Sequence, residues 1–116
     1  MKKHYKMYLS GPISSLPINE AKSNFKIWKQ RFSKHYEEVI NPFDLVNITD
    51  ETCMKKDLAE LKTCYGLLLL PGWENYTDAN VELAQAEKDG QKIYNAVTHY
   101  EFLKKQLTSW EAAKNE

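Results

Sequence analysis

The chain has little that would build a metal centre or a disulfide scaffold. Its 116 residues include two cysteines and three histidines. Cys53 and Cys64 form no CxxC pair, and His4, His35 and His99 are scattered rather than set at ligand spacing. Free thiols in a chain this small fit a reducing cytoplasm. Neither sign of charge is in surplus: sixteen basic residues face sixteen acidic ones. A nucleic-acid polymer, which is gripped through its phosphates by excess lysine and arginine, is therefore not an expected partner. Long apolar runs are also missing. Residues 67–70 are far too short to span a bilayer, and the apolar stretch after Lys6 is too short for a signal peptide, so no membrane partner is expected. With no internal repeat, linker or low-complexity segment, the chain reads as one domain over 1–110 and a polar tail over 111–116.

What is present is an alternation of strands and helices. Residues 6–10 read as a strand stopped by Gly11-Pro12. Ala21, Phe25, Trp28, Phe32 and Tyr36 recur at helical spacing, which predicts a helix over 20–36. A short strand over 38–40 ends at Asn41-Pro42. Met54, Leu58, Leu61 and Tyr65 mark a second helix. The run 66–70 is the continuous apolar strand of a parallel sheet covered on both faces. A third helix from residue 77 or 78 ends at Gly90 in the C′ position, and a fourth strand occupies 91–96. Thr98 and Glu101 suit a capping box, with Val97 stapled to Phe102, at the start of a last helix. This order predicts an α/β fold, a flavodoxin-like (Rossmann-like) parallel sheet of about four strands in order 2-1-3-4 with helices on both faces. Strands one and three are then neighbours whose crossovers leave in opposite directions. The crevice beyond their carboxyl ends is where such folds bind ligands.

Two acids stand out against that frame. In the third helix Ala79, Leu83 and Ala86 form an apolar stripe, and Glu82 is expected at its edge, while a solvated acid would sit opposite, near Gln85 and Lys88. Asp57 bears the same relation to Met54, Leu58 and Leu61. The second helix runs into strand three and the third helix leaves from its end, so both acids can converge on the crevice. Paired carboxylates suit glycosyl transfer, one attacking the anomeric carbon and the other managing protons. Each acid equally fits a solvated side chain offsetting a helix dipole.

The turns at the crevice carry the rest. Ser10, Gly11, Pro12, Ser14 and Ser15 offer hydroxyls and backbone N–H groups ahead of a helix, where a phosphate or sugar hydroxyl fits; an ordinary turn has the same composition. Gly72 and Trp73 close strand three. Trp73 and Tyr76 are suited to stacking on a base or packing against a second subunit, and Tyr8 to the core or the crevice.

Met7-Tyr8-Leu9-Ser10-Gly11-Pro12, Met54-Lys55-Lys56-Asp57-Leu58 and the helix over 78–86 together resemble the nucleoside 2-deoxyribosyltransferase superfamily, in particular its compact, largely uncharacterised phage and bacterial branch. The resemblance covers about residues 7–94. It implies that Glu82 is the nucleophile, that Asp57 assists it, and that Tyr8 contacts the nucleophile region. By the same resemblance Ser10, Gly11, Ser14 and Ser15 hold a substrate phosphate, and Asp78 stands near the acid that some transferases carry before this helix.

The implied activity is cleavage of the N-glycosidic bond of a 2′-deoxynucleoside or its 5′-monophosphate, by hydrolysis or deoxyribosyl transfer. A non-catalytic module that binds a nucleotide or nucleotide signal in the same crevice is the alternative. Neither requires a metal or an organic cofactor. A homodimer or higher homo-oligomer is expected, from the small size, the aromatic loop and the family's habit of completing the pocket with a neighbour.

Overall fold

A computed structural model of the chain describes residues 3–13, 16–44 and 58–114, with side chains over 5–13, 16–44 and 58–106. Strand β1 (Lys3–Ser10) leads into helix α1 (Ile18–Phe32) and strand β2 (Tyr36–Ile40), which closes in a short 3-10 turn at Pro42–Asp44. The described part of helix α2 covers 58–62. Strand β3 (Gly66–Leu69), a 3-10 turn (Trp73–Asn75), helix α3 (Thr77–Lys88), strand β4 (Lys92–Asn95) and helix α4 (Ala96–Lys114) complete the chain. The sheet is parallel throughout, in the order β2-β1-β3-β4 that the sequence predicts.

Strand alternation divides the core into two layers. Met7 and Leu9 of β1 and Leu68 of β3 join Leu70, Phe25, Phe32, Tyr36 and Leu103 on the face covered by α1 and α4. Tyr8 of β1 and Leu67 and Leu69 of β3 point the other way, onto Leu61 and Ala86 of α2 and α3. Every side chain of β3 is buried, as its unbroken apolar sequence requires. At its start Gly66 leaves no room for a methyl group, since a Cβ there would meet the Lys92 carbonyl oxygen at 2.8 Å and the Met7 Cε at 2.9 Å.

Several boundaries differ from the periodicity. Helix α1 ends at Phe32, and Tyr36 opens β2. The chain reverses where the His35 N–H bonds to the Phe32 carbonyl, and Tyr36 returns to the same aromatic cluster from a strand. Common burial, not a common helix, sets that spacing. Tyr65 likewise lies outside α2: it is exposed, stacked on Tyr5 at 3.9 Å, and its N–H bonds to the Lys6 carbonyl to begin the β1–β3 ladder. Helix α4 is capped by Asn95, whose Oδ1 accepts from the N–H groups of Val97 and Thr98 at 3.1 and 3.3 Å. The expected Thr98–Glu101 box is displaced by one turn's start, and Val97 and Phe102 are both exposed. Helical backbone continues through residue 111 to Lys114. Gly90, at φ +69°, is the C′ residue expected after α3.

Tyr36 is a titratable group locked into the aromatic layer. It is 2% exposed, and its hydroxyl shares a 2.5 Å hydrogen bond with His99 Nε2. His99 in turn stacks on Tyr94 at 3.9 Å. Burial pushes the Tyr36 phenol from 10.0 up to about 12, with smaller contributions from Tyr94 and Tyr65. The unfolded chain therefore releases this proton at lower pH than the folded one. The associated stability is whole below pH 10.0 and is lost as pH rises toward about 12. Denaturant melts between these limits should show a fall in stability that is shallower in Tyr36→Phe; identical slopes would count against burial of an ionisable phenol here.

Candidate active site

The site is assembled by two turns at the carboxyl ends of β1 and β3. The ladder between these strands pairs Ser10 with Leu69 and is carried one step further by the Leu70 N–H, which bonds to the Ser10 carbonyl at 2.7 Å. The turns then interlock. A Cβ on Gly11 would lie 2.7 Å from the Leu70 Cβ, and one on Gly72 would lie 3.0 Å from the Pro12 ring. Gly72 also holds φ +88°, a left-handed conformation that glycine adopts without steric cost. Each glycine thus admits the opposite turn, and the two chain ends close on each other beside the crevice.

Helix α3 begins beyond the second turn and delivers Glu82 to it. The Asn80 amide braces that approach by donating to the carbonyls of Glu74 and Tyr76 at 3.1 and 3.0 Å. The buried residues of α3 are Ala79, Glu82 and Ala86, while Leu83 is half-buried. Glu82 therefore occupies the middle of the inward face, and Leu83 takes the edge position expected for the acid. Small neighbours make this possible: two alanines let the helix approach the sheet closely enough for the glutamate to reach a strand. It is 5% exposed, and Ser10 Oγ donates to its Oε1 at 2.7 Å across 72 residues of sequence. Ser10 itself is fully buried. The serine hydroxyl gives the buried carboxyl group a hydrogen-bond partner and so offsets part of the cost of taking it out of water.

Tyr8 lies two residues before Ser10 on the same face of β1 and is fully buried in the α2–α3 layer. Half-buried Trp73 packs on that layer, so its ring forms a wall. Tyr76 is buried, and its hydroxyl donates to Asp78 Oδ2 at 3.1 Å, so it is not the exposed stacking residue its loop suggests. Asp78 is exposed in the first turn of α3, where a negative charge complements the helix dipole. The structure thus brings Ser10 to Glu82 on the face of the sheet that carries Tyr8, packs Trp73 on that layer, and sets the Gly11-Pro12 and Gly72 turns against each other at the strand ends, while Asp78 stays exposed. Asp57, Ser14 and Ser15 lie outside the described residues; Leu58, next to Asp57, packs on the layer that contains Tyr8.

The pairing of Ser10 with Glu82 is absent from the sequence reading, which treats that serine as a phosphate-loop hydroxyl. Strand alternation holds the signal, because it puts Ser10 on the face of Tyr8 and so toward α3. No group of three or more histidine, cysteine or acidic side chains among the described residues is placed to hold a metal ion. Among those residues no helix is long and apolar enough to cross a membrane.

These features define a four-stranded parallel α/β domain with a buried acid at the switch point of its sheet. Residues 5–95 match the family described as Domain of unknown function (DUF4406), and the chain belongs to that family. No curated protein matches the sequence. Among solved structures the fold is similar to that of a 2-desoxiribosyltransferase from Leishmania mexicana, with a TM-score of 0.62 and 14% identity. The likeness covers 78% of this chain and 63% of the Leishmania protein, and at that identity it is a likeness of fold.

Removing the Ser10 hydroxyl should leave Glu82 Oε1 buried without this donor. Ser10→Ala is expected to lower stability by about 1.5–3 kcal/mol, the range for a hydrogen bond to a charged group. A change in urea midpoint corresponding to less than about 0.5 kcal/mol would mean that the bond contributes nothing net. Gly11→Ala, which drives a methyl group into Leu70, should cost about 1–3 kcal/mol in the same measurement.

Proposed function

We propose that this protein cleaves the N-glycosidic bond of a 2′-deoxynucleoside or its 5′-monophosphate, with Glu82 as nucleophile. The observation that carries this reading is the buried Ser10–Glu82 hydrogen bond at the switch point: it fixes a carboxylate where a parallel sheet of this order receives its ligand. A carboxylate so placed can attack C1′ while the bond from C1′ to the base nitrogen breaks. The base departs with the bonding electron pair and takes up a proton, a transfer assigned to Asp57. Water then gives a proton to Asp57 as its oxygen attacks C1′ and the ester bond to Glu82 breaks, restoring both acids and releasing the sugar; a second base in place of water gives transfer instead. Two displacements at one carbon retain its configuration. Ser10 orients the attacking group, Tyr8 and Trp73 make the wall of the crevice, and Gly11 and Gly72 let the two turns interlock beside it. Fold similarity to a deoxyribosyltransferase supports the substrate class.

The near-complete burial of Glu82 favours a second reading, in which the crevice binds a nucleotide without chemistry. One experiment separates the two. The protein is incubated with the deoxynucleosides and their 5′-monophosphates, and free base is measured by chromatography. Catalysis predicts base release that falls at least about a thousand-fold in Glu82→Gln, which preserves the buried volume, with folding confirmed by circular dichroism. Thermal stabilisation by the same compounds with no base released by the wild-type protein would establish the binding module.

A further inference from the structure

A cleft lies away from Glu82, between the outer face of α1 and the turn that follows β2. The cleft has a volume of about 680 Å³ and is lined by Lys22, Lys26, Lys29, Gln30, Ser33, Asn41, Phe43 and Asp44. That is within the size range of small-molecule sites, roughly 300–1,000 Å³. Lys22, Lys26 and Lys29 are four and three residues apart and share one face of α1, spanning about 10 Å along its axis at ~1.5 Å per residue. Lys29 is paired with Asp44, the one carboxylate of the lining, at 2.8 Å. Lys22 and Lys26 have no ion-pair partner among the described residues, so the cleft keeps two uncompensated cations. Glu37 and Glu38 line an adjoining cavity that shares Lys29, Ser33, Asn41 and Asp44 with the cleft, so Lys22 and Lys26 stand at the end away from these acids.

The opposite wall is built from buried polar and aromatic groups. Asn41 is 7% exposed, and its Oδ1 accepts from the Phe43 N–H at 3.0 Å. That bond fixes the amide orientation, since an N–H can only donate to the oxygen. No bond of the Asn41 Nδ2 to another described residue is seen, and the residue lines the cleft, so this amide is a donor at its wall. Phe43 is half-buried and held by an edge contact with Phe25 at 5.3 Å, which gives the cleft a fixed apolar ring.

We propose that this cleft binds a nucleoside polyphosphate. The phosphate chain lies along Lys22 and Lys26, Asn41 donates to a phosphate or sugar oxygen, and the base rests on Phe43. A row of anionic charge, oxygen acceptors and a flat base occur together in that class of ligand, and they match the lysines, the amide donor and the ring of the cleft. The polyphosphate chain is the shared chemistry, and it distinguishes this site from the Glu82 crevice, whose side chain is an acid.

Binding of ATP and of inorganic tripolyphosphate to the whole protein is measured by calorimetry, with Lys22→Gln/Lys26→Gln, Asn41→Asp and Ser10→Ala as variants. ATP is expected to bind the wild-type protein, and the double lysine variant, altered only at exposed side chains, should lose about ten-fold or more. Ser10→Ala changes the other crevice and should leave the affinity unaltered. Asn41→Asp replaces the donor with a charge that repels phosphate and should also weaken binding. Should it fail to fold, the lysine variant decides alone. Tripolyphosphate is expected to bind more weakly than ATP with the same lysine dependence; equal affinity would mean that no base rests on Phe43 and would overturn the nucleoside assignment, as would a wild-type protein that does not bind ATP. An unchanged affinity in the double variant, a loss in Ser10→Ala as large as in the lysine variant, or tighter binding of a single-stranded oligonucleotide than of ATP would each overturn the proposal.

Discussion

A carboxylate buried beside the end of a parallel strand is the constraint around which this molecule is organised. An ionised glutamate transferred into an apolar layer is strongly disfavoured unless donors meet it. Ser10 meets Glu82 at 2.7 Å, and that contact imposes demands on the surroundings. Strand β1 must end with Ser10 facing α3, which the alternation from Tyr8 ensures. The helix must lie close to the sheet, which Ala79 and Ala86 permit. The two turns must clear each other, which Gly11 and Gly72 permit by lacking a side chain. A larger residue at any of these positions would separate the acid from the strand end.

The two faces of the sheet serve this arrangement differently. On the α1–α4 side, Trp28, Phe32, Tyr36, Tyr94, His99 and Tyr100 form a network of aromatic contacts. Large rings bury extensive surface and prefer particular relative orientations, so this layer supplies stability and rigidity. On the α2–α3 side the helix residues facing the sheet are smaller, and the one buried charged residue among the described residues, Glu82, is placed there. The division fits a scaffold whose rigid half holds the strands in register while the other half carries the polar group.

Much of the architecture was legible because β3 is apolar without interruption and each crossover contains a helix-period segment. Together these leave few ways to arrange a parallel sheet. Boundaries were less legible where residues of different elements enter one cluster. Tyr36 follows Phe32 at helical spacing yet belongs to β2, since the aromatic layer accepts a ring from either direction. Asn95 displaced the expected cap for a local reason: its side-chain oxygen reaches two free N–H groups as soon as β4 turns into α4. For the candidate site, Glu82 could be found from its proximity to a small-residue stripe. Its central position on the inward face could not, because periodicity alone does not say how far the helix is rotated about its axis.

The sequence by itself determined the alternation of strands and helices, the parallel order of the sheet and the presence of an acid near its switch point. These follow from local periodicity and from the handedness of crossovers, both of which act over short stretches of chain. Tertiary structure decided that Ser10 is the partner of Glu82 and that Lys22 and Lys26 share one cleft with Asn41. Those relations join residues on different elements. They depend on how each helix is rotated and how closely it approaches the sheet, quantities set by packing the whole core at once.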